Sequence, residues 1–327
     1  MELETATIFE TTTTDFATKA LSLFRYQWKK NEVYRTFCDH LKVNPDSVTK
    51  PEAIPFLPIE FFKSHTVLTG SCTPQTVFTS SGTTGVEVSK HHICDLQVYE
   101  QGFQDTFHRF YGDISEYCLL ALLPSYLERK GSSLVHMVSG LIQKTGHPDS
   151  GFYLNDLEAL AQKLKQLEAK GTKTLLIGVS FALLDLAAAL SLPLKHTVVM
   201  ETGGMKGRRK EMIREDLHRT LQQAFGEYPI HSEYGMTELL SQAYSKGEGV
   251  FYAPPWMRVF SRDTSDPLKM NAHGKTGGLN IIDLANVHSC AFIATQDLGK
   301  VRADGAFEVL GRFDHADIRG CNLMTVQ

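Results

Sequence analysis

The chain has 327 residues, 42% of them hydrophobic, which is enough to fill the core of one large α/β domain or two medium ones. Its 33 basic and 37 acidic side chains leave a formal charge of -4 with no long run of either sign, and this excludes the electrostatic footprint of a nucleic-acid binder. No stretch approaches the ~20 apolar residues that span a bilayer, and Met1-Glu2-Leu3-Glu4 is acidic where a secretory leader is basic, so the sequence predicts a cytoplasmic chain without membrane insertion. The six cysteines (Cys38, Cys72, Cys94, Cys118, Cys290 and Cys321) contain no CxxC pair, which argues against a zinc site and a disulfide framework and for buried free thiols.

In chain order, Asp15 is a candidate helix cap, and Phe16, Ala20, Leu23, Phe24 and Trp28 recur at helical spacing beyond it. Residues 1–50 read as a helical cover. Pro51, Pro55 and Pro58 then impose extended backbone, because proline bars the residue before it from helix. Lys63 and His65 follow, as pocket-lining or merely structural side chains. Val77-Phe78 reads as the end of a strand. Tyr117 to Leu123, Thr174 to Gly178, His196 to Met200 and Tyr228 to Glu233 read as further strands, and they alternate with helical patterns at Asp156 to Ala169 and Arg208 to Phe225. This alternation predicts an α/β fold of sheets with covering helices. From about Gly249 short strands separated by Gly, Asp, Asn and Pro predict a mainly β subdomain, with no helix before Gly311.

The segment after Val77-Phe78 is Thr79-Ser80-Ser81-Gly82-Thr83-Thr84-Gly85, with five hydroxyl side chains and two glycines in seven residues. Glycine lets the backbone approach a ligand, and N–H and hydroxyl donors can face phosphate oxygens. By composition alone it also reads as a polar surface turn. It is not a Walker loop, since no Gly-Lys-Ser/Thr follows. Three further segments carry suitable chemistry. Tyr234-Gly235-Met236-Thr237-Glu238 offers an aromatic ring, a hydroxyl and a carboxylate suited to Mg²⁺. Gly203-Gly204 follows a strand and can lie flat against a base, with Lys206, Arg208, Arg209 and Lys210 beyond it. Asp297, in Ala294-Thr295-Gln296-Asp297-Leu298-Gly299, offers two acceptor oxygens, and Gly311-Arg312-Phe313-Asp314 closes the series. His91 and His92 lack a third ligand at zinc spacing.

Taken in this order, the segments resemble the motifs of the adenylate-forming superfamily of acyl-CoA ligases, luciferases and peptide-synthetase adenylation domains. The resemblance implies the large N-terminal domain of that superfamily, over residues 51–310, with the β-rich subdomain from about 249. It implies that Thr79 to Gly85 grip the β- and γ-phosphates of ATP, and that Gly203, Gly204, Tyr234 and Gly235 lie at the adenine. Thr237 would meet the α-phosphate, Glu238 would hold Mg²⁺, Asp297 would bind the ribose and Arg312 would sit near ribose or phosphate. The pattern departs after Gly85, where Val86-Glu87-Val88-Ser89 precedes Lys90, so that Lys90 is either a phosphate contact or a solvated side chain. Residues 311–327 would be the hinge motif and a short tail, without the small C-terminal domain that carries a catalytic lysine.

Within the superfamily, the segment from Ile54 to His65 and Thr202-Gly203-Gly204-Met205-Lys206-Gly207-Arg208 are most similar to the LuxE-type acyl-protein synthetases. That resemblance implies activation of a fatty acid as acyl-AMP and transfer to an enzyme cysteine, for which Cys321 is the candidate by its place near the C-terminus. An acyl-CoA or acyl-protein reductase or an acyl carrier protein would be the protein partner, with homo-oligomers also open. Two alternatives stay open: a coenzyme A ligase related to phenylacetate-CoA ligase, and a weakly active nucleotide-binding homologue.

Overall fold

The structure, a computed structural model, describes residues 7–80, 87–123, 131–153, 156–203 and 212–313. Two helices lead, α1 (Phe16–Lys30) and α2 (Glu32–His40). Phe16, Ala20, Leu23, Phe24 and Gln27 fall on one face of α1 at helical spacing and are buried. Asp15 is not its side-chain cap; the Asp15 carboxylate turns back to accept from the Thr12 N–H at 2.7 Å. The proline segment is not uniformly extended, since Pro51–Ala53 forms a 3₁₀ turn, with proline at its first position where no N–H is needed. It leads into the short strand β1 (Leu57–Pro58) and the one-turn helix α3 (Phe61–Ser64).

A hairpin comes next, β2 (Thr76–Thr79) antiparallel to β3 (Lys90–Ile93). Cys72 and Cys94 flank its open end and are joined by a disulfide, with Cα atoms 5.9 Å apart. This corrects the expectation of free thiols. The pair is 22 residues apart in sequence and meets only because the strands between them pair, so short-range spacing carries no trace of it. Cys38, Cys118 and Cys290 are buried free thiols, and Cys321 lies outside the described residues.

The middle of the chain builds a mostly parallel sheet. In order it contains α4 (Leu96–Tyr111), β4 (Cys118–Leu122), α5 (Ser133–Thr145), β5 (Gly151–Phe152), α6 (Leu157–Lys170), β6 (Thr174–Val179), α7 (Ser180–Ala189), β7 (Thr197–Thr202), α8 (Arg214–Phe225), β8 (His231–Tyr234) and β9 (Ala243–Ser245). The strand order is β5-β4-β6-β7-β8-β9, parallel except for β9. Every residue of β4 and β6 is buried, as expected for strands covered by helices on both faces. The expected strand at Tyr228 to Glu233 lies a few residues later, because the carbonyls and amides of residues 231–234 are the ones that find partners on β7 and β9.

After Phe225 no further helix occurs among the described residues. The chain forms β10 (Val250–Phe251), β11 (Met257–Arg262), β12 (Gly277–Asp283), β13 (Phe292–Val301) and β14 (Phe307–Arg312), antiparallel in the order β10-β14-β13-β12-β11. Strand β1 joins this second sheet, with Leu57 and Pro58 beside Ile293 and Ala294 of β13. β11 and β13 alternate between buried and half-buried positions, whereas β12 is buried throughout. The α/β architecture with a strand-rich C-terminal region therefore agrees with expectation. No helix among the described residues is long and apolar enough to cross a membrane.

Candidate active site

The site is built where the β2–β3 hairpin meets the turn after β8. Thr79 and Ser80 start the hydroxyl-rich loop, whose remaining residues, Ser81 to Gly85, lie outside the described part, as do Gly204, Lys206 and Arg208. The Thr79 N–H donates to the Gly131 carbonyl at 2.8 Å. Gly131 has φ +89°, and a Cβ there would stand 2.9 Å from the Val77 carbonyl, so only glycine lets that segment lie against β2. Ser80 and Ser89 close the base of the loop: the Ser80 N–H donates to the Ser89 carbonyl at 3.1 Å, and the Ser89 N–H to the Ser80 hydroxyl at 3.0 Å.

From this base two residues of the β3 side reach the Thr237-Glu238 turn. Ser89, itself buried, hydrogen-bonds the Glu238 carboxylate. His91, fully buried, places Nδ1 2.9 Å from the Thr237 carbonyl and Nε2 2.8 Å from the Ser289 hydroxyl. Burial lowers the His91 pKa to about 4, so the ring is neutral near pH 7. Glu238 is buried as well. Its loss of hydration pushes the carboxyl above the ordinary range, against the Ser89 hydrogen bond and the charges of Arg312 and Lys63. A buried carboxylate in that state gains from a cation. Among the described residues no cluster of three or more His, Cys, Asp or Glu could hold a metal alone. One carboxylate and a neighbouring hydroxyl suit Mg²⁺, which keeps waters and completes its shell with substrate phosphates.

The turn is fixed from below by residues that sequence reading did not single out. Asp283, at the end of β12, accepts from the N–H groups of Leu240 (3.0 Å), Ser241 (2.9 Å) and Ala285 (3.1 Å) and from the Ser241 hydroxyl (2.7 Å). Asn286 donates to the Glu238 carbonyl at 2.8 Å and accepts from the Leu240 N–H at 3.1 Å. The loop of residues 283–291 is in turn held by α1: Gln27 Nε2 donates to the carbonyls of Asn286 and Val287, its Oε1 accepts from the Ala291 N–H, and Asn31 donates to the Ser289 carbonyl. The signal for these residues is a polar side chain in an apolar pattern, Gln27 on the buried stripe of α1 and Asp283 in Ile281-Ile282-Asp283-Leu284-Ala285, while Asn31 is a buried cap of α2.

A second corner of the site joins the two sheets. The Tyr234 hydroxyl donates to Asp297 Oδ2 at 2.7 Å, and the Arg312 Nε contacts Asp297 Oδ1 at 3.4 Å. Asp297 and Arg312 face each other in the β13–β14 register. Tyr234 is buried with its ring edge-on to Phe251 and Phe307, while the Arg312 side chain is 74% exposed. Gly235 is exposed beyond it, and a Cβ there would stand 2.5 Å from Glu233 Oε1. Gly203, at the end of β7, has φ +69°, and its carbonyl accepts from the Ser180 hydroxyl at 2.8 Å. Behind this corner, burial pushes the Glu233 carboxyl up to about 7, against a hydrogen bond from Thr202 and with help from the neighbouring Glu201.

Thr79, Tyr234 and Arg312 end their strands, Ser80, Gly203, Gly235, Thr237 and Glu238 follow strand ends, and Asp297 lies within β13. Direct contacts tie Tyr234 and Arg312 each to Asp297, and Ser89 ties the loop base to Glu238. Lys63, His65 and Lys90 are exposed, and His65 stacks on Phe61.

Residues 9–95 match the family model described as acyl-protein synthetase, LuxE. A long-chain-fatty-acid-luciferin-component ligase of Vibrio harveyi is 25% identical over 329 residues, covering 93% of this chain and 85% of the ligase. Among solved structures, 2-hydroxyisobutyryl-CoA ligase in complex with 2-HIB-AMP and CoA superposes with a TM-score of 0.68 at 12% identity, covering 92% of this chain and 68% of that one. ATP-bound MatB from Rhodopseudomonas palustris superposes with a TM-score of 0.55 at 19% identity over 72% of this chain, and the match spans only 47% of MatB, about half its length.

Proposed function

We propose that this chain, an adenylate-forming enzyme similar to the LuxE-type acyl-protein synthetases, activates a carboxylic acid as acyl-AMP and passes the acyl group to a thiol. The observation that carries the reading is the joined geometry of the turn and the corner: Glu238 and Thr237 tied to the base of the hydroxyl-rich loop through Ser89 and His91, with Tyr234, Asp297 and Arg312 meeting at the other end. The chemistry of these groups suits a nucleotide, with phosphates toward Thr79, Ser80 and Thr237 and the ribose toward Asp297. Gly203 and Gly235, both exposed, lack side chains that would bar a base from the backbone.

In the proposed reaction a carboxylate oxygen of the acid attacks the α-phosphorus of ATP. The bond from that phosphorus to the bridging oxygen breaks, and pyrophosphate leaves with the electron pair. Thr237 donates its hydroxyl to an α-phosphate oxygen, and Glu238 offers the carboxylate for Mg²⁺, which when bound neutralises charge on the phosphates. Catalysis here is chiefly positioning and charge neutralisation in a site whose donors are already fixed. A thiolate then attacks the acyl carbon and AMP departs. In the acyl-protein synthetase reading that thiol is Cys321. In the second reading, favoured by the similarity in fold to a CoA ligase, it belongs to coenzyme A or a carrier-protein pantetheine.

ATP-pyrophosphate exchange, screened over carboxylic acids from acetate to palmitate, tests the first step. Acid-dependent exchange is expected, and it should fall at least ~100-fold when Thr83 and Thr84 are both replaced by alanine, since hydrogen bonds to charged groups contribute about 1.5 to 3 kcal/mol each. ATP binding without exchange for any acid would leave only a nucleotide-binding homologue. ATP-dependent acyl mass on the intact protein, lost in Cys321→Ala, separates self-acylation from the CoA-ligase reading.

A further inference from the structure

Resting on the adenylation reading above, we infer that His91 is a positioning residue for the Thr237-Glu238 turn, acting through its ring Nδ1–H on the Thr237 carbonyl. The ring sits where three separate segments converge. It belongs to β3, which follows the hydroxyl-rich loop, and it bonds the turn after β8 on one side and the 283–291 loop on the other.

The hydrogen-bond partners fix the tautomer. A carbonyl oxygen only accepts, so Nδ1 carries the proton; the second ring nitrogen then accepts from the Ser289 hydroxyl. That hydroxyl is anchored in turn, because the Ser289 carbonyl accepts from Asn31, between α1 and α2, and from Thr69. Phe62 packs edge-on to the imidazole at 5.4 Å and prevents the ring from swinging out of line. The Thr237 carbonyl and the Glu238 amide belong to one planar peptide group, so the direction of that carbonyl sets the direction in which the Glu238 side chain leaves the backbone. With Asn286 holding the next carbonyl at 2.8 Å, both peptide planes flanking Glu238 are clamped, one by a side chain from β3 and one from below. Ser89, two residues before His91 and just ahead of β3, holds the carboxylate itself.

The test separates the two arms of the ring. In His91→Asn the amide nitrogen can take the place of Nδ1 and keep the bond to Thr237. In His91→Gln the longer side chain reaches toward Ser289, and in His91→Ala both bonds are lost. The readout is ATP-pyrophosphate exchange with Mg²⁺ titrated at saturating ATP, beside a thermal melt of each variant. For His91→Ala and His91→Gln we expect kcat to fall ~10- to 100-fold with a raised Mg²⁺ requirement and an unchanged KM for the acid, while His91→Asn stays within about threefold of the parent. Three variants with equal kcat at 20 °C that differ only in melting temperature would overturn the inference, as would rescue by Gln and not by Asn. If His91→Ala does not fold, the Asn and Gln variants decide between these outcomes. A parent protein that shows no exchange with any acid overturns the functional reading, and this inference with it. Exchange in the parent that is matched by His91→Gln overturns the inference alone.

Discussion

The two ends of the candidate site are held very differently. The segment from Thr237 to Ser241, with Glu238 buried, is bonded by side chains from three separate stretches: Ser89 and His91 from one, Asp283 and Asn286 from another, and Trp256, which donates to the Ser241 hydroxyl at 2.9 Å, while Gln27 and Asn31 support the second. The Asp297 corner depends on Tyr234 and one longer contact from a largely exposed Arg312. The contrast suits the chemistry proposed for each. Where charge moves in the reaction, donors that are already in place spare the cost of reorganisation, whereas a sugar hydroxyl pair needs only an acceptor within reach. The open corner also leaves Arg312, the last residue of β14, free to change partners.

The most severe break should come from Asp283→Ala. It strands the backbone N–H groups of Ser241 and Ala285 and the Ser241 hydroxyl in a buried setting and leaves Leu240 only Asn286, and unfolding in urea should show a loss on the order of 3 to 5 kcal/mol. A loss under ~1 kcal/mol would show that the turn is not held from below. Glu238→Gln sharpens the contrast from the other direction. Removing a buried charge should leave the melting temperature unchanged or higher, while kcat for exchange falls ~100- to 1000-fold. At the open corner, Asp297→Asn should raise the KM for ATP by ~10-fold, with a stability cost below ~1 kcal/mol. A large loss of stability there would erase the distinction between the two ends.

The last test concerns pH. The folded-state pKa of Glu233 is raised to about 7 from an ordinary 4.5, so the folded protein holds a proton that the unfolded chain releases. Its contribution to stability is full below the unfolded value and is lost as pH rises through about 7, with a slope of at most ~1.4 kcal/mol per pH unit. Urea midpoints at pH 5 and pH 8 should therefore fall less steeply for Glu233→Gln than for the parent. Equal slopes would mean that Glu233 is ionised in the fold.

Much of the fold was legible because periodicity reports it: α1, the buried runs at β4, β6 and β7, and the change to short strands after residue 249 all appear where the pattern places them. The motif residues were legible as a set through their order. What the sequence hid was long-range. Gln27 meets residues some 260 positions away, and His91 meets Thr237 at a separation of 146, so neither contact leaves a local pattern. The Cys72–Cys94 disulfide was missed for the same reason, since only the hairpin brings the two thiols together. The Asp15 cap failed because Thr12 offers a nearer donor than the first turn of the helix does.

Formation of acyl-AMP at this site is the central claim, and a single-turnover quench tests it most directly. The parent protein is mixed with Mg²⁺, α-phosphate-labelled ATP and the acid that gives the strongest exchange, and bound acyl-AMP and pyrophosphate are counted. The account predicts equal amounts of the two from the parent and formation ~100- to 1000-fold slower in Glu238→Gln, although that variant still folds. Absence of acyl-AMP from the parent, or its formation at an unchanged rate in Glu238→Gln, would contradict it.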